Sequence, residues 1–251
     1  MVLGPRKQRR ELSLLQLLPN FLTVGAICAG LTAIRFAAIG RFDLSVGLIV
    51  LAAMLDGLDG RLARLLKSVS EIGAELDSLA DFLNFGVAPA LTIYFWALQD
   101  SRSLGWIAVL VYAVCCVMRL ARFNVGNRAE AEDKPKVGGF VGVPSPAGAL
   151  LVLLPLLYDR LYGGIIPVPT AIVIFWLIFS GLLMISRLPT PSLKSARIYA
   201  ENVKFVVLGF VALVAALLTY PWATLVGMDL AYLACLVWAW WVHRRRKAKE
   251  S

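Results

Sequence analysis

The chain has 251 residues, of which 59% are hydrophobic and only 16% are charged, and its formal net charge is +9. Apolar segments of about twenty residues, long enough for a helix to cross a bilayer, recur along nearly its whole length. A soluble globular domain could not bury this much apolar surface. The composition therefore excludes a soluble domain and predicts an integral membrane protein.

Residues 1–18 precede the first long apolar segment. Basic residues followed by the leucine-rich stretch Ser13 to Leu18 predict an amphipathic helix that lies in the cytoplasmic interface of the membrane. A disordered basic tail is the alternative. No small-residue cleavage site follows, so the segment is not interpreted as a signal peptide.

The apolar windows predict an all-α fold, a polytopic transmembrane helical bundle of about eight spans. We expect a membrane core over residues 19–200, followed by two additional C-terminal spans and a basic tail over residues 201–251. The predicted spans lie at 20–40, 44–66, 79–98, 104–123, 144–161, 166–186, 203–220 and 222–242.

The positions of the basic residues predict the orientation of the bundle. All but four of the 25 Lys and Arg residues lie in the two tails or in connections on the same side of the membrane. Because cytoplasmic loops are enriched in Lys and Arg, both termini are expected in the cytoplasm. The expected location is the bacterial inner membrane. Since the positive charge flanks membrane spans, nucleic acid is not an expected partner.

Four aspartates stand where the second and third predicted spans meet the cytoplasmic edge. Asp56 and Asp59 share one face of a helix at i, i+3, and Asp77 and Asp81 share another at i, i+4. An ionised carboxylate near the hydrocarbon costs roughly 2.5 kcal/mol or more, and two nearby arginines could not neutralise all four. Hard divalent cations with oxygen ligands could. The cluster predicts a metal site; helix capping or surface ion pairing is the alternative.

The spacing of these residues is specific. Residues 56–81 follow the pattern D-x2-D-G-x2-A-R-x8-G-x3-D-x3-D, which resembles the complete signature of the CDP-alcohol phosphatidyltransferase family. Further segments, at 19–23, 77–89, 119–124, 140–149 and 184–194, are similar to those of family members that use serine as the acceptor. The resemblance extends from about residue 10 to about residue 200.

The resemblance implies an enzyme that transfers the phosphatidyl group of CDP-diacylglycerol to the hydroxyl of L-serine by metal-assisted in-line displacement, releasing CMP. It implies two divalent cations, Mg²⁺ or Mn²⁺, with Asp56 and Asp77 bridging both, Asp59 completing one site and Asp81 the other. Asp81 would also be the catalytic general base, and the active site would face the cytoplasm. A homodimer in membrane lipid is implied as well.

The resemblance also implies substrate-binding residues. The predicted CDP-diacylglycerol pocket consists of Asn20, Thr23, Gly60, Ala63, Arg64 and Ser70. Asn20 and Thr23 could equally be hydrogen-bond partners between helices. For serine the candidates are Arg119, Arg122 and Asn124, because a guanidinium can bind a carboxylate bidentately; arginines that only set the topology are the alternative.

Two alternative functions stay open. Choline, inositol phosphate or glycerol phosphate could be the acceptor, since enzymes using them would keep the same four acids. A cation transporter is a more remote alternative, because acids within membranes often mark ion pathways. We expect no acid deeper in the other spans, which disfavours transport.

Overall fold

A computed structural model describes residues 14–66, 68, 70–131, 142–165, 167–186 and 203–250. Every regular element within these ranges is helical, which confirms the predicted all-α fold. The α-helices are α1 (Leu14–Ala38), α2 (Phe42–Leu65), α3 (Glu71–Asp81), α4 (Ala88–Ile93), α5 (Arg102–Ala131), α6 (Ser145–Leu161), α7 (Thr170–Ile185), α8 (Val203–Thr219) and α9 (Pro221–Glu250).

Among the described residues, four stretches of helix are both long and apolar enough to cross a membrane. They are Leu17–Ala38, Ile72–Ser101, Ser103–Gly126 and Pro221–Val242, and the shorter apolar helices Thr170–Ile185 and Val207–Thr219 accompany them. The chain is thus an integral membrane helical bundle. The number of eight spans stays a prediction.

Small residues bring α1 and α2 together. Ala26, Ala29 and Ala52 form a fully packed cluster between the two helices. In a bilayer the hydrophobic effect does not drive helices together, so close backbone approach through small residues supplies the attraction. This pairing fixes the C-terminal end of α2, which carries the first acid pair, against α1.

The helix that carries the second acid pair changes its winding immediately after Asp81. A π-helical segment, Phe82–Val87, joins α3 to α4, and such segments are frequent at functional sites. Pro89 has no N–H to donate to the Phe85 carbonyl four residues earlier. The fully buried Tyr112 of α5 donates its hydroxyl to that carbonyl at 2.9 Å instead. Two neighbouring helices are thereby tied together beside the acids.

Two expectations from the sequence need correction. Leu14–Leu18 are continuous with α1 rather than part of a separate interfacial helix, while residues 1–13 lie outside the described residues. The expectation that no acid lies deeper in the other spans is wrong, because Asp229 of α9 is only 2% exposed within the candidate span Pro221–Val242. Hydropathy does not distinguish Asp229, because one acid barely alters the mean hydropathy of a long apolar window.

Candidate active site

Carboxylates from two helices converge at one point. Asp56 and Asp59 lie one turn apart near the end of α2, and Asp77 approaches them from α3. One oxygen from each of the three carboxylates lies within 4.8 Å of the others. The predicted meeting of the two acidic helix faces is therefore present in the structure.

Asp81 adjoins this group through Asp56. Their two carboxyl groups lie within hydrogen-bonding range, and Asp81 also interacts electrostatically with Asp77. Asp81 also interacts electrostatically with the guanidinium of Arg119. Asp81 thus interacts both with other acids of the cluster and with the first of the predicted serine-binding residues.

The donor set suits a divalent cation. The Oδ1 atoms of Asp56, Asp59 and Asp81 are buried and accept no hydrogen bond from the residues that the structure describes. A buried acceptor without a partner costs about 1–3 kcal/mol. Ionised carboxylates only accept, so they cannot satisfy one another, whereas hard cations prefer such oxygens as ligands. The residues present therefore fit Mg²⁺ or Mn²⁺.

Thr23 of α1 orients one of these acids. Its hydroxyl contacts Asp59 Oδ2 at 2.5 Å and the Pro19 carbonyl of its own helix at 3.1 Å. Both Thr23 and Asp59 are buried, at 4% and 3% exposed. The contact corresponds to the interhelical alternative for Thr23, and it leaves the other oxygen of Asp59 available to a ligand.

Open space lies next to the acids on α2. No heavy atom beyond the immediate helix backbone lies within 4 Å of the position that a Cβ would take on Gly57 or Gly60. Arg64 is exposed, and its Nε donates to the Gly60 carbonyl at 3.0 Å. Ala63 adds only a methyl group. A substrate can therefore approach this face of the helix closely.

The start of α3 gathers the other predicted nucleotide-binding residues. Ser70 caps the helix by accepting a hydrogen bond from the Gly73 N–H at 3.0 Å. The side-chain oxygen of Asn20 lies 3.1 Å from the position of a Cβ on Gly73. Asn20 and Ser70, fifty positions apart in the sequence, thus border the same corner between α1 and α3.

Arg119 connects the acids to α6. Its Nη1 donates to Ser145 Oγ, and its guanidinium interacts electrostatically with Asp81 and Cys116. Ser145 was not among the predicted site residues, although it lies between the two prolines of the segment 140–149. The hydrogen bond that this buried serine accepts from Arg119 is apparent only in the folded structure.

The other two predicted serine-binding residues make contacts between helices. Arg122 is exposed and donates to the Ile185 carbonyl at the end of α7 at 3.1 Å. Asn124 donates to Ser78 Oγ on α3 at 2.9 Å. Of the three candidates, Arg119 is the one that interacts electrostatically with an acid of the cluster.

Comparisons with known proteins agree with this geometry. A family model described as CDP-alcohol phosphatidyltransferase matches residues 16–188, and a second, CDP-alcohol phosphatidyltransferase 2, matches residues 201–236. The second match falls on the C-terminal region, where sequence reasoning had found no motif.

Several curated relatives cover most of the chain, and each is named CDP-diacylglycerol--serine O-phosphatidyltransferase. The relative from Mycobacterium leprae is 38% identical over 96% of this chain and 79% of its own length. The relative from Methanocaldococcus jannaschii is 34% identical over 88% of this chain and 89% of its own length. The relative from Bacillus subtilis is 34% identical over 74% of this chain and 96% of its own length.

Proposed function

The chain belongs to the CDP-alcohol phosphatidyltransferase family, and we propose that it transfers the phosphatidyl group of CDP-diacylglycerol to the hydroxyl of L-serine, giving phosphatidylserine and CMP. The names of the relatives support serine as the acceptor. The observation that carries the proposal is the convergence of the α2 and α3 carboxylates, with buried oxygens that accept no described hydrogen bond.

The four aspartates would hold two divalent cations, Mg²⁺ or Mn²⁺. Bound there, the cations would neutralise the diphosphate of the substrate and the charge that develops on the departing CMP. Thr23 fixes the orientation of Asp59 through its hydroxyl. The α2–α3 arrangement therefore sets the position of the diphosphate before the acceptor binds.

The nucleotide would occupy the open face of α2. Gly57 and Gly60 leave room for its close approach, and the exposed Arg64 offers planar donors to phosphate. Asn20 and Ser70, which lie together beside Gly73 at the start of α3, would contact the same nucleotide. This placement directs the diphosphate toward the acids and leaves the acyl chains to the surrounding lipid.

Asp81 would act as the general base. The serine hydroxyl oxygen attacks the phosphorus that carries the diacylglycerol, the bond from that phosphorus to the oxygen of CMP breaks, and the hydroxyl proton passes to Asp81. Arg119, beside Asp81, would bind the serine carboxylate. Arg122 and Asn124 would brace this side of the site through their contacts with α7 and α3.

Replacing the base tests this assignment. Asp81→Asn should abolish phosphatidylserine formation while binding of CDP-diacylglycerol persists, because the amide cannot accept the proton at neutral pH. Asp100→Asn is the matched control, since Asp100 is exposed at the opposite end of the same helical stretch. Turnover that survives in Asp81→Asn would exclude the base role.

Acceptor choice can be tested with purified enzyme. Incubation with labelled serine, choline, inositol phosphate and glycerol phosphate should yield product from serine alone. A product from another acceptor in place of serine would keep the family chemistry and overturn the proposed substrate.

We further propose that the protein lies in a bacterial inner membrane as a homodimer, with the active site and both termini on the cytoplasmic side. The distribution of basic residues supports this orientation, and the family resemblance supports the dimer. Labels placed at both ends of the chain should react from the cytoplasmic side of sealed vesicles. Labelling from the opposite side would refute the orientation.

A further inference from the structure

The C-terminal helix α9 packs against α6, the helix that begins with the Arg119 partner Ser145. Tyr232 of α9 lies partly buried against the main apolar core. Its hydroxyl is fully buried and has no hydrogen-bond partner among the described residues. A buried hydroxyl without a hydrogen-bond partner destabilises the folded protein. A bound ligand that accepts a hydrogen bond would remove this cost.

A charged side chain of α5 helps to define the surroundings of that hydroxyl. Tyr232 and Arg119 interact electrostatically, and Arg119 interacts with Asp81 as well. Among the described residues, the hydrogen bond from Arg119 goes to Ser145, and a guanidinium carries several further N–H donors. Tyr232 and Arg119, whose guanidinium has further N–H donors, therefore belong to one group of interacting side chains that also includes Asp81.

The chemistry of the acceptor matches this pair. A carboxylate has two oxygens that can accept hydrogen bonds from a guanidinium and a phenol together. In serine the carboxylate is separated from the hydroxyl carbon by a single carbon atom. A serine whose hydroxyl faces Asp81 would thus extend its carboxylate toward Arg119 and the helix that lies behind it.

We propose that Tyr232 is a specificity-determining residue, whose hydroxyl donates a hydrogen bond to the carboxylate of the acceptor alongside Arg119. The inference rests on the proposed function. It gives α9 a role in selecting an acceptor that carries a carboxylate. The match of the second family model to residues 201–236, which include Tyr232, is consistent with a role of this region in the family's activity.

The test is Tyr232→Phe, which removes the hydroxyl and leaves the ring in its packing. The acceptor probes are L-serine and serinol, which has a hydroxymethyl group where serine has the carboxylate. Serinol is measured both as an acceptor and as an inhibitor of serine transfer. The matched control is Tyr220→Phe, because Tyr220 is 69% exposed at the start of α9.

We expect the KM for serine to rise about ten- to a hundredfold in Tyr232→Phe, the effect of losing a hydrogen bond to a charged group. The KM for CDP-diacylglycerol, the slow release of CMP to water without an acceptor, and the binding of serinol should stay at wild-type levels. A KM for serine that does not change, or an equal loss for serine and serinol, would overturn the inference.

The proposed function and the proposed role of Tyr232 can be refuted independently of each other. Wild-type enzyme that consumes CDP-diacylglycerol with another alcohol but not with serine would overturn both conclusions. Wild-type transfer to serine together with an unaffected Tyr232→Phe variant would overturn the role of Tyr232 alone.

Discussion

Replacing Thr23 with valine should weaken metal binding without disrupting the fold. Valine keeps the branched shape of the side chain, so the packing between α1 and α2 is retained, but the hydroxyl that contacts Asp59 Oδ2 at 2.5 Å is lost. A hydrogen bond to a charged group contributes about 1.5–3 kcal/mol. Loss of a partner that orients a metal ligand typically lowers metal affinity or activity about 10–100-fold.

The assay is the dependence of phosphatidylserine synthesis on Mg²⁺ or Mn²⁺ concentration. Thr23→Val should shift the half-activating concentration upward by about one to two orders of magnitude, while Thr23→Ser, which keeps a hydroxyl, should restore it in part. Thr32→Val is the matched control, because the partly buried Thr32 donates to the carbonyl of Cys28 within the same helix. A Thr23→Val enzyme with an unchanged metal dependence and a raised KM for CDP-diacylglycerol would refute this reasoning and favour a nucleotide-binding role for Thr23.

Three further substitutions test the surroundings of the site. Gly60→Ala should raise the melting temperature slightly, because alanine favours a helix by about 0.8–1 kcal/mol over glycine. The same substitution should raise the KM for CDP-diacylglycerol. Gly209→Ala, whose Cβ would also lie in open space, should leave that KM unchanged. Gly142→Ala should destabilise the fold by more than Gly163→Ala. Both glycines have a left-handed backbone, which costs a residue with a side chain about 1–2 kcal/mol, but the Cβ at position 142 would also clash with the Met184 carbonyl of α7, whereas the Cβ at position 163 would meet nothing within 4 Å. Equal melting temperatures would contradict this. Tyr112→Phe should cost about 1–3 kcal/mol in thermal unfolding, since it leaves a buried carbonyl without its donor, and an unchanged melting temperature would show that the bond contributes little.

Hydropathy and residue spacing suffice to predict much of this molecule. The apolar windows correspond to the observed helices because a bilayer requires continuous apolar helix, whatever the tertiary contacts. The acids could be predicted to converge because their helical spacing places each pair on one face, and because a divalent cation would offset the cost of bringing the carboxylates together.

Other features depend on partners that no local pattern encodes. The π-helical segment after Asp81 accepts a hydrogen bond at the Phe85 carbonyl from Tyr112, which lies in the next long helix. Likewise, Ser145 and Tyr232 interact with Arg119 because α6 and α9 pack where they do. A hydropathy window registers such residues as ordinary members of an apolar helix, so sequence reasoning overlooked them.

Cation binding by the α2 and α3 carboxylates can be measured without any substrate. Mn²⁺ is titrated into the purified, chelator-treated protein, and the bound ion is followed by electron paramagnetic resonance. We expect saturable binding by the wild type and by Asp100→Asn, and loss of that binding when Asp56 and Asp77 are both replaced with asparagine. Equal Mn²⁺ binding by the doubly substituted protein and the wild type would contradict this expectation.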